Sequence, residues 1–150
     1  MTAGVIANLH AAVAASLDNA FRNARIEGVT ISPLSGDLRE AETRLAVAWL
    51  LAENAPAAFA GSARSFTLTV TVQTKERDRR AESDSRNLDA FNLARDLLRD
   101  AFEKGTALTS VNDYPRAAGT VVEDLGEAFP ENAAELDLLA IARSWTIAAA

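Results

Sequence analysis

The chain has 150 residues and 15.9 kDa, with 49% hydrophobic and 24% charged positions, a length that suits one domain with its own core. It contains no cysteine, which excludes disulfides, thiolate metal sites and thiol nucleophiles and leaves the redox compartment open. Fifteen Lys+Arg against twenty-one Asp+Glu give a net charge of −6, which disfavours unassisted binding to DNA or to an anionic membrane; no apolar run reaches the roughly 20 residues that span a bilayer, and Val5–Leu17 lacks the cationic lead of a signal peptide.

Val5, Ile6, Leu9, Val13, Leu17 and Phe21 recur at spacings of three and four and predict an amphipathic helix. Its filling is rich in alanine, Thr2 is a candidate cap, and Asn23 and Gly28 bracket its end. Arg25 to Ser32 carries Val29 and Ile31 on alternate positions and stops at Pro33, which predicts a short strand. Asp37–Glu53 fits two periods. Leu38, Ala41, Leu45, Ala48, Trp49 and Ala52 form a helical stripe, while Leu45, Val47, Trp49 and Leu51 alternate as in a strand; propensity favours the helix, and tertiary pairing favours the strand. Asn54, Pro56 and Gly61 break the chain in either case.

Arg64–Thr74 is the clearest strand: Phe66, Leu68, Val70 and Val72 face one way, Thr67, Thr69, Thr71 and Gln73 the other. The hydroxyl row suits water or a polar neighbour. Lys75–Asn87 then carries five basic and four acidic residues with Ala81 as its one apolar position. It reads as a solvated mixed-charge loop, or as one that orders against a partner through Arg77, Arg79 and Arg80. Leu88, Phe91, Ala94, Leu98, Ala101 and Phe102 predict a second amphipathic helix, capped by Ser85 or Asn87 and ended at Lys104-Gly105. Beyond it, Leu108, Val111 and Tyr114 lead to Pro115, and Thr120–Glu123 reads as a short strand. Pro130-Glu131 resembles a helix start, and Leu136, Leu139, Ala140 and Arg143 continue at helical spacing. Leu139, Ile141, Trp145 and Ile147 nevertheless alternate, and Leu136–Ile147 is read as a closing strand.

Reactive chemistry is sparse. His10 is the sole histidine; with no acid three or four positions away it reads as a surface or boundary helix residue rather than a base. One histidine and no cysteine make no zinc site, and phosphate-binding glycine patterns are missing. The acidic neighbours Glu40 and Glu42, and Glu123 and Asp124, lack the spacing of a calcium loop. Trp49 and Trp145 read as core or boundary aromatics. Arg77, Arg79 and Arg80 have acids between them and no interleaved aromatic, a poor nucleic-acid signature. The expectation is a non-enzyme with no catalytic, cofactor-binding or metal residues.

The order of these segments is similar to that of phage tail terminator and tail-completion proteins, which join head to tail. The resemblance lies in VIANLHAAVAASL (residues 5–17), TRLAVAWLLAE (43–53), RSFTLTVTVQTKERDRRAESDSRNLDAFNLARDLLRDAF (64–102) and ELDLLAIARSWTIA (135–148). It is one of pattern and length and contains no signature motif. It implies a single α+β domain over residues 1–150, a mostly antiparallel β-sheet packed by two amphipathic helices. It also implies a structural virion protein: a ring, typically a hexamer, at the head-proximal end of the tail tube, assembled in the host cytoplasm. Its partners would be copies of itself, the tail tube protein and a neck or head-completion protein, with DNA passing through the ring without specific binding, and with no membrane and no cofactor. Thr67, Thr69, Thr71, Arg77, Arg79 and Arg80 are the candidate interface residues. A head-tail joining protein on a related scaffold and a small ligand-binding α+β domain are the alternatives.

Overall fold

The structure is a computed structural model that describes residues 4–24, 29–33, 45–55, 64–75, 81–109, 117–129 and 138–149. It has an α+β fold: two helices, α1 (Val5–Ala24) and α2 (Ala81–Ala101), and six strands, β1 (Val29–Pro33), β2 (Leu45–Glu53), β3 (Arg64–Lys75), β4 (Ala107–Thr109), β5 (Ala117–Ala128) and β6 (Leu138–Ala149). The strands form one sheet in the order β1-β2-β3-β6-β5-β4. Every pairing is antiparallel except β1 with β2, so the sheet is mostly antiparallel, as the sequence predicts.

The core lies on one face of this sheet. Along β3, Phe66, Leu68, Val70 and Val72 are buried and point to the helices, in register with Val47, Trp49 and Leu51 on β2 and with Ile141, Trp145 and Ile147 on β6. Against them α1 sets Leu9, Val13, Leu17 and Phe21, and α2 sets Phe91, Ala94, Leu98 and Phe102. Burying such side chains stabilises by about 1.5–3 kcal/mol each before the entropy of ordering is subtracted. Trp145 is fully buried with its ring 4.9 Å from that of Phe102. Its Nε1–H has no acceptor among the described residues, so Trp145 serves the core through volume and ring contact rather than as a donor.

Two ambiguous segments resolve as strands. β2 covers 45–53, while 37–44 lies outside the described residues. Leu138–Ala149 is strand β6, and it lies in the middle of the sheet between β3 and β5. The small residues that suited a helix stand on the far face of the sheet, where Ala48 opposes Thr71 and Ala142 also opposes Thr71 from the other side.

Two expectations need correction. The mixed-charge segment 75–87 is not one loop: Lys75 belongs to β3, and α2 begins at Ala81, with 76–80 outside the described residues. Ala81 and Glu82 are good helix formers, and helical propensity there does not depend on an apolar stripe. The strand expected at Thr120–Glu123 runs from Ala117 to Ala128. Register shifts at Val121/Glu123 and Asp124/Gly126 break its alternation, which hid its length. Gly126 takes φ +86° at the second shift, and Gly105 takes φ +94° in the turn that ends α2, where the Lys104-Gly105 signal places it.

Candidate functional site

The helices cover one face of the sheet, and the other face is lined by hydroxyls and small side chains. Ser65, Thr67, Thr69, Thr71 and Gln73 of β3 oppose Ala148, Thr146, Ser144, Ala142 and Ala140 of β6, and Ala46, Ala48, Leu50 and Ala52 of β2 complete the surface. Among the described residues no helix packs on it.

The three expected threonines share this face, but much of their bonding capacity is used within the sheet. Thr67 Oγ1 donates to Asn54 Oδ1 at 2.8 Å, and Asn54 Nδ2 donates to Ser65 Oγ at 2.9 Å. Thr69 Oγ1 and Ser144 Oγ are 3.0 Å apart and share one hydrogen bond. Thr71 is only 5% exposed. A row predicted to face water is therefore half-buried at Thr67 and Thr69 and buried at Thr71 and Gln73, and Thr67 and Thr69 bond to Asn54 and Ser144, partners that a single strand's alternation does not reveal. Arg77, Arg79 and Arg80 lie outside the described residues.

On the helix side, where α2 crosses the sheet, four charged residues form a cluster. Arg95 on α2 donates from Nε to Glu127 Oε2 at 2.9 Å and from Nη2 to Glu127 Oε1 at 3.0 Å. Its Nη1 also donates to Asn92 Oδ1 at 3.2 Å, and its guanidinium lies 5.9 Å from the Phe91 ring centre. Arg143 on β6 is paired with Asp124 on β5, Nε to Oδ1 at 3.2 Å, and its Nη1 is 4.0 Å from Glu127. The Gly126 amide donates to Asp124 Oδ1 at 2.9 Å.

The hydrogen bond from Arg143, with smaller help from the Gly126 amide and the Arg143 charge, holds the Asp124 carboxyl below its ordinary range against the opposing effect of burial. Arg95 lowers Glu127 in the same way, chiefly through its hydrogen bonds. Both carboxylates are thus ionised and occupied. This is a clamp between α2, β5 and β6, and neither acid is poised as a general acid. Sequence reading did not find it, since its members are 19 and 32 residues apart.

His10 sits on α1 with its ring 5.1 Å from that of Trp49, tilted by 51°. Trp49 is buried and His10 partly so, which places His10 at the core boundary where the helical spacing put it. Among the described residues no three metal-ligating side chains come together, and no helix is long and apolar enough to cross a membrane.

The open edge of β5 is a second surface. β4 pairs with Ala117 to Thr120, and the turn before it reaches Val121 through Gly105 N to Val121 O at 2.7 Å and Val121 N to Thr106 O at 2.9 Å. Past that point, among the described residues, β5 is paired only with β6. Val122, Leu125 and Phe129 are exposed there, Leu125 by 50% and Phe129 by 74%. Half of the six exposed large hydrophobic residues of the described chain fall in this stretch, a concentration that marks it off from scattered surface apolar residues.

A scan against models of known protein families finds none that matches this chain, and no curated protein matches it at a significant level.

Proposed function

We propose that this protein is a structural component of a phage tail: a ring-forming terminator that caps the head-proximal end of the tail tube and meets the neck proteins there. The observation that carries this reading is the asymmetry of the sheet. All the described helical cover lies on one face, and past Val121 the strand β5 is paired, among the described residues, only with β6. The element order α1-β1-β2-β3-α2-β4-β5-β6 contains the helix, strands, helix and closing strand from which the resemblance is drawn.

The chemistry is compatible with that role. The most organised charged cluster has its carboxylates neutralised by arginines, and the net charge of −6 keeps a ring around a DNA conduit from gripping the duplex. Copies meeting in a closed ring use heterologous contacts, in which one patch meets a different patch of the next subunit.

The test is negative-stain microscopy of the purified protein alone and mixed with tail tubes, supported by light scattering. Rings, or discrete caps on one end of the tubes, are the expected result. Binding to the connector instead of the tube would make the chain a neck protein, and a monomer that ignores both would overturn the reading. In the same assay, reversing Arg79 and Arg80 to Glu is expected to weaken assembly while leaving the circular dichroism unchanged.

A further inference from the structure

We infer that the distal half of β5, residues 122–129, is a strap that opens and closes on the folded core, held shut by the arginine clamp rather than by apolar burial. The two halves of the strand differ in what keeps them in place. Up to Val121 the strand is bonded to β4 and the turn before it on one side, and β6 joins on the other at Thr120 and Val121. Ala118, Gly119 and Val121 are buried there, and Gly119 lies close against Leu9 of α1 and Ile147 of β6. From Val122 to Phe129 no residue is buried: all are exposed except Gly126, which is half-buried. Two register shifts and the positive φ of Gly126 interrupt the ladder to β6. On the helix side the hold is charge: Asp124 pairs with Arg143 of β6, and Glu127 with Arg95 of α2 and, at 4.0 Å, with Arg143.

A segment with few buried apolar contacts and water-exposed backbone hydrogen bonds opens at a lower free energy than the core around it. The bulges add to this, since each removes pairing from the ladder. Partly exposed ion pairs supply a modest tether, enough to set how often the strap opens and too little to decide whether the core folds. The same features place the hinge. Val121 is the last buried residue of the strand and sits at the first register shift, so fixed chain gives way to opening chain between Val121 and Val122. The motion requires no partner and does not depend on the ring-forming reading.

Native-state amide exchange in increasing urea tests this, in the wild type and in the double variant Arg95→Gln, Arg143→Gln, whose changes lie outside the strap and leave its intrinsic exchange rates untouched. In the wild type the bonded amides of 122–129 are expected to exchange faster than those of 117–121 and to be almost insensitive to low urea, while β3 amides accelerate with urea as global unfolding does. In the double variant the strap amides are expected to exchange about threefold to tenfold faster without urea, with circular dichroism unchanged. The single variant Arg95→Gln, at the more exposed of the two arginines, is expected to show the same acceleration at the lower end of that range, which keeps the result readable if the double variant does not fold. Equal protection and equal urea slopes across 117–129 would overturn the inference, because the strand would then open only with the whole molecule. Strap exchange that ignores the arginine substitutions would overturn it as well, since the clamp would then tether nothing.

Discussion

Arg95 on α2 and Glu127 on β5 are joined by two parallel hydrogen bonds, 2.9 and 3.0 Å, across a separation of 32 residues. The pair fixes the helix against a strand that is otherwise open on one side. Both side chains keep contact with water, so the coupling is modest: a double-mutant cycle of Arg95→Ala and Glu127→Ala is expected to give about 0.5–1 kcal/mol by urea unfolding. A coupling near zero would mean that the pair orients nothing.

Acid should loosen the same clamp. Asp124 and Glu127 are both held below their ordinary carboxylate values by their arginine partners. A group with a lower pKa folded than unfolded stabilises above the unfolded value, and that stabilisation is lost as pH falls through the folded one. The loss therefore begins near pH ~4 and continues below it. Urea midpoints measured from pH 7 down to the acid limit of folding are expected to fall less steeply for the Asp124→Asn, Glu127→Gln variant than for the wild type. Parallel curves would show that other carboxylates control acid unfolding.

Gly119 is a contact point between layers. A Cβ there would lie 3.0 Å from Ile147 Cγ2, 3.1 Å from the Ala148 carbonyl oxygen and 3.1 Å from Leu9 Cδ1. Replacing glycine by alanine in a strand ordinarily gains about 0.5–1 kcal/mol through the unfolded state. Here overpacking should win, because one neighbour is backbone and cannot rotate away, and Gly119→Ala is expected to cost about 1–3 kcal/mol. A raised melting temperature in that variant would refute the close approach of α1 to β5.

Val70 lies at the centre of β3 with no exposed surface. Val70→Asp places a carboxylate among apolar side chains and is expected to abolish folding, at a cost of several kcal/mol. The control Val70→Ala should lose roughly 2 kcal/mol and stay folded. Native circular dichroism for Val70→Asp would contradict the inward orientation of the β3 apolar row.

How much of this was legible in the sequence depended on whether one period dominated a segment. α1 and β3 carry unambiguous stripes: Leu9, Val13, Leu17 and Phe21 and Phe66, Leu68, Val70 and Val72 are buried as those stripes name them, while Ile6 is exposed and Asn8, Ala12, Thr71 and Gln73 are buried outside them. In 45–53 and 138–149 alanines satisfied both periods, and strand pairing with β3 decided the outcome. The first turns of α2 carry no apolar stripe, and β5 was concealed by its own bulges. Of the expected interface residues, Thr67 and Thr69 turned out to be engaged by Asn54 and Ser144, partners that only the folded register brings near. The charged clamp and the open β5 edge are likewise products of topology, since no local pattern joins Arg95 to Glu127 or tells which strand lacks a neighbour.

The place of β6 between β3 and β5 also shapes how the molecule comes into being. Thr69 meets Ser144 across 75 residues, so β3 gains its long pairing with β6 only when that distant strand docks. Non-local pairings of this kind slow folding and prolong the exposure of apolar strands. Refolding from urea should therefore be slow, with amide protection of β3 and β6 appearing together in a late step.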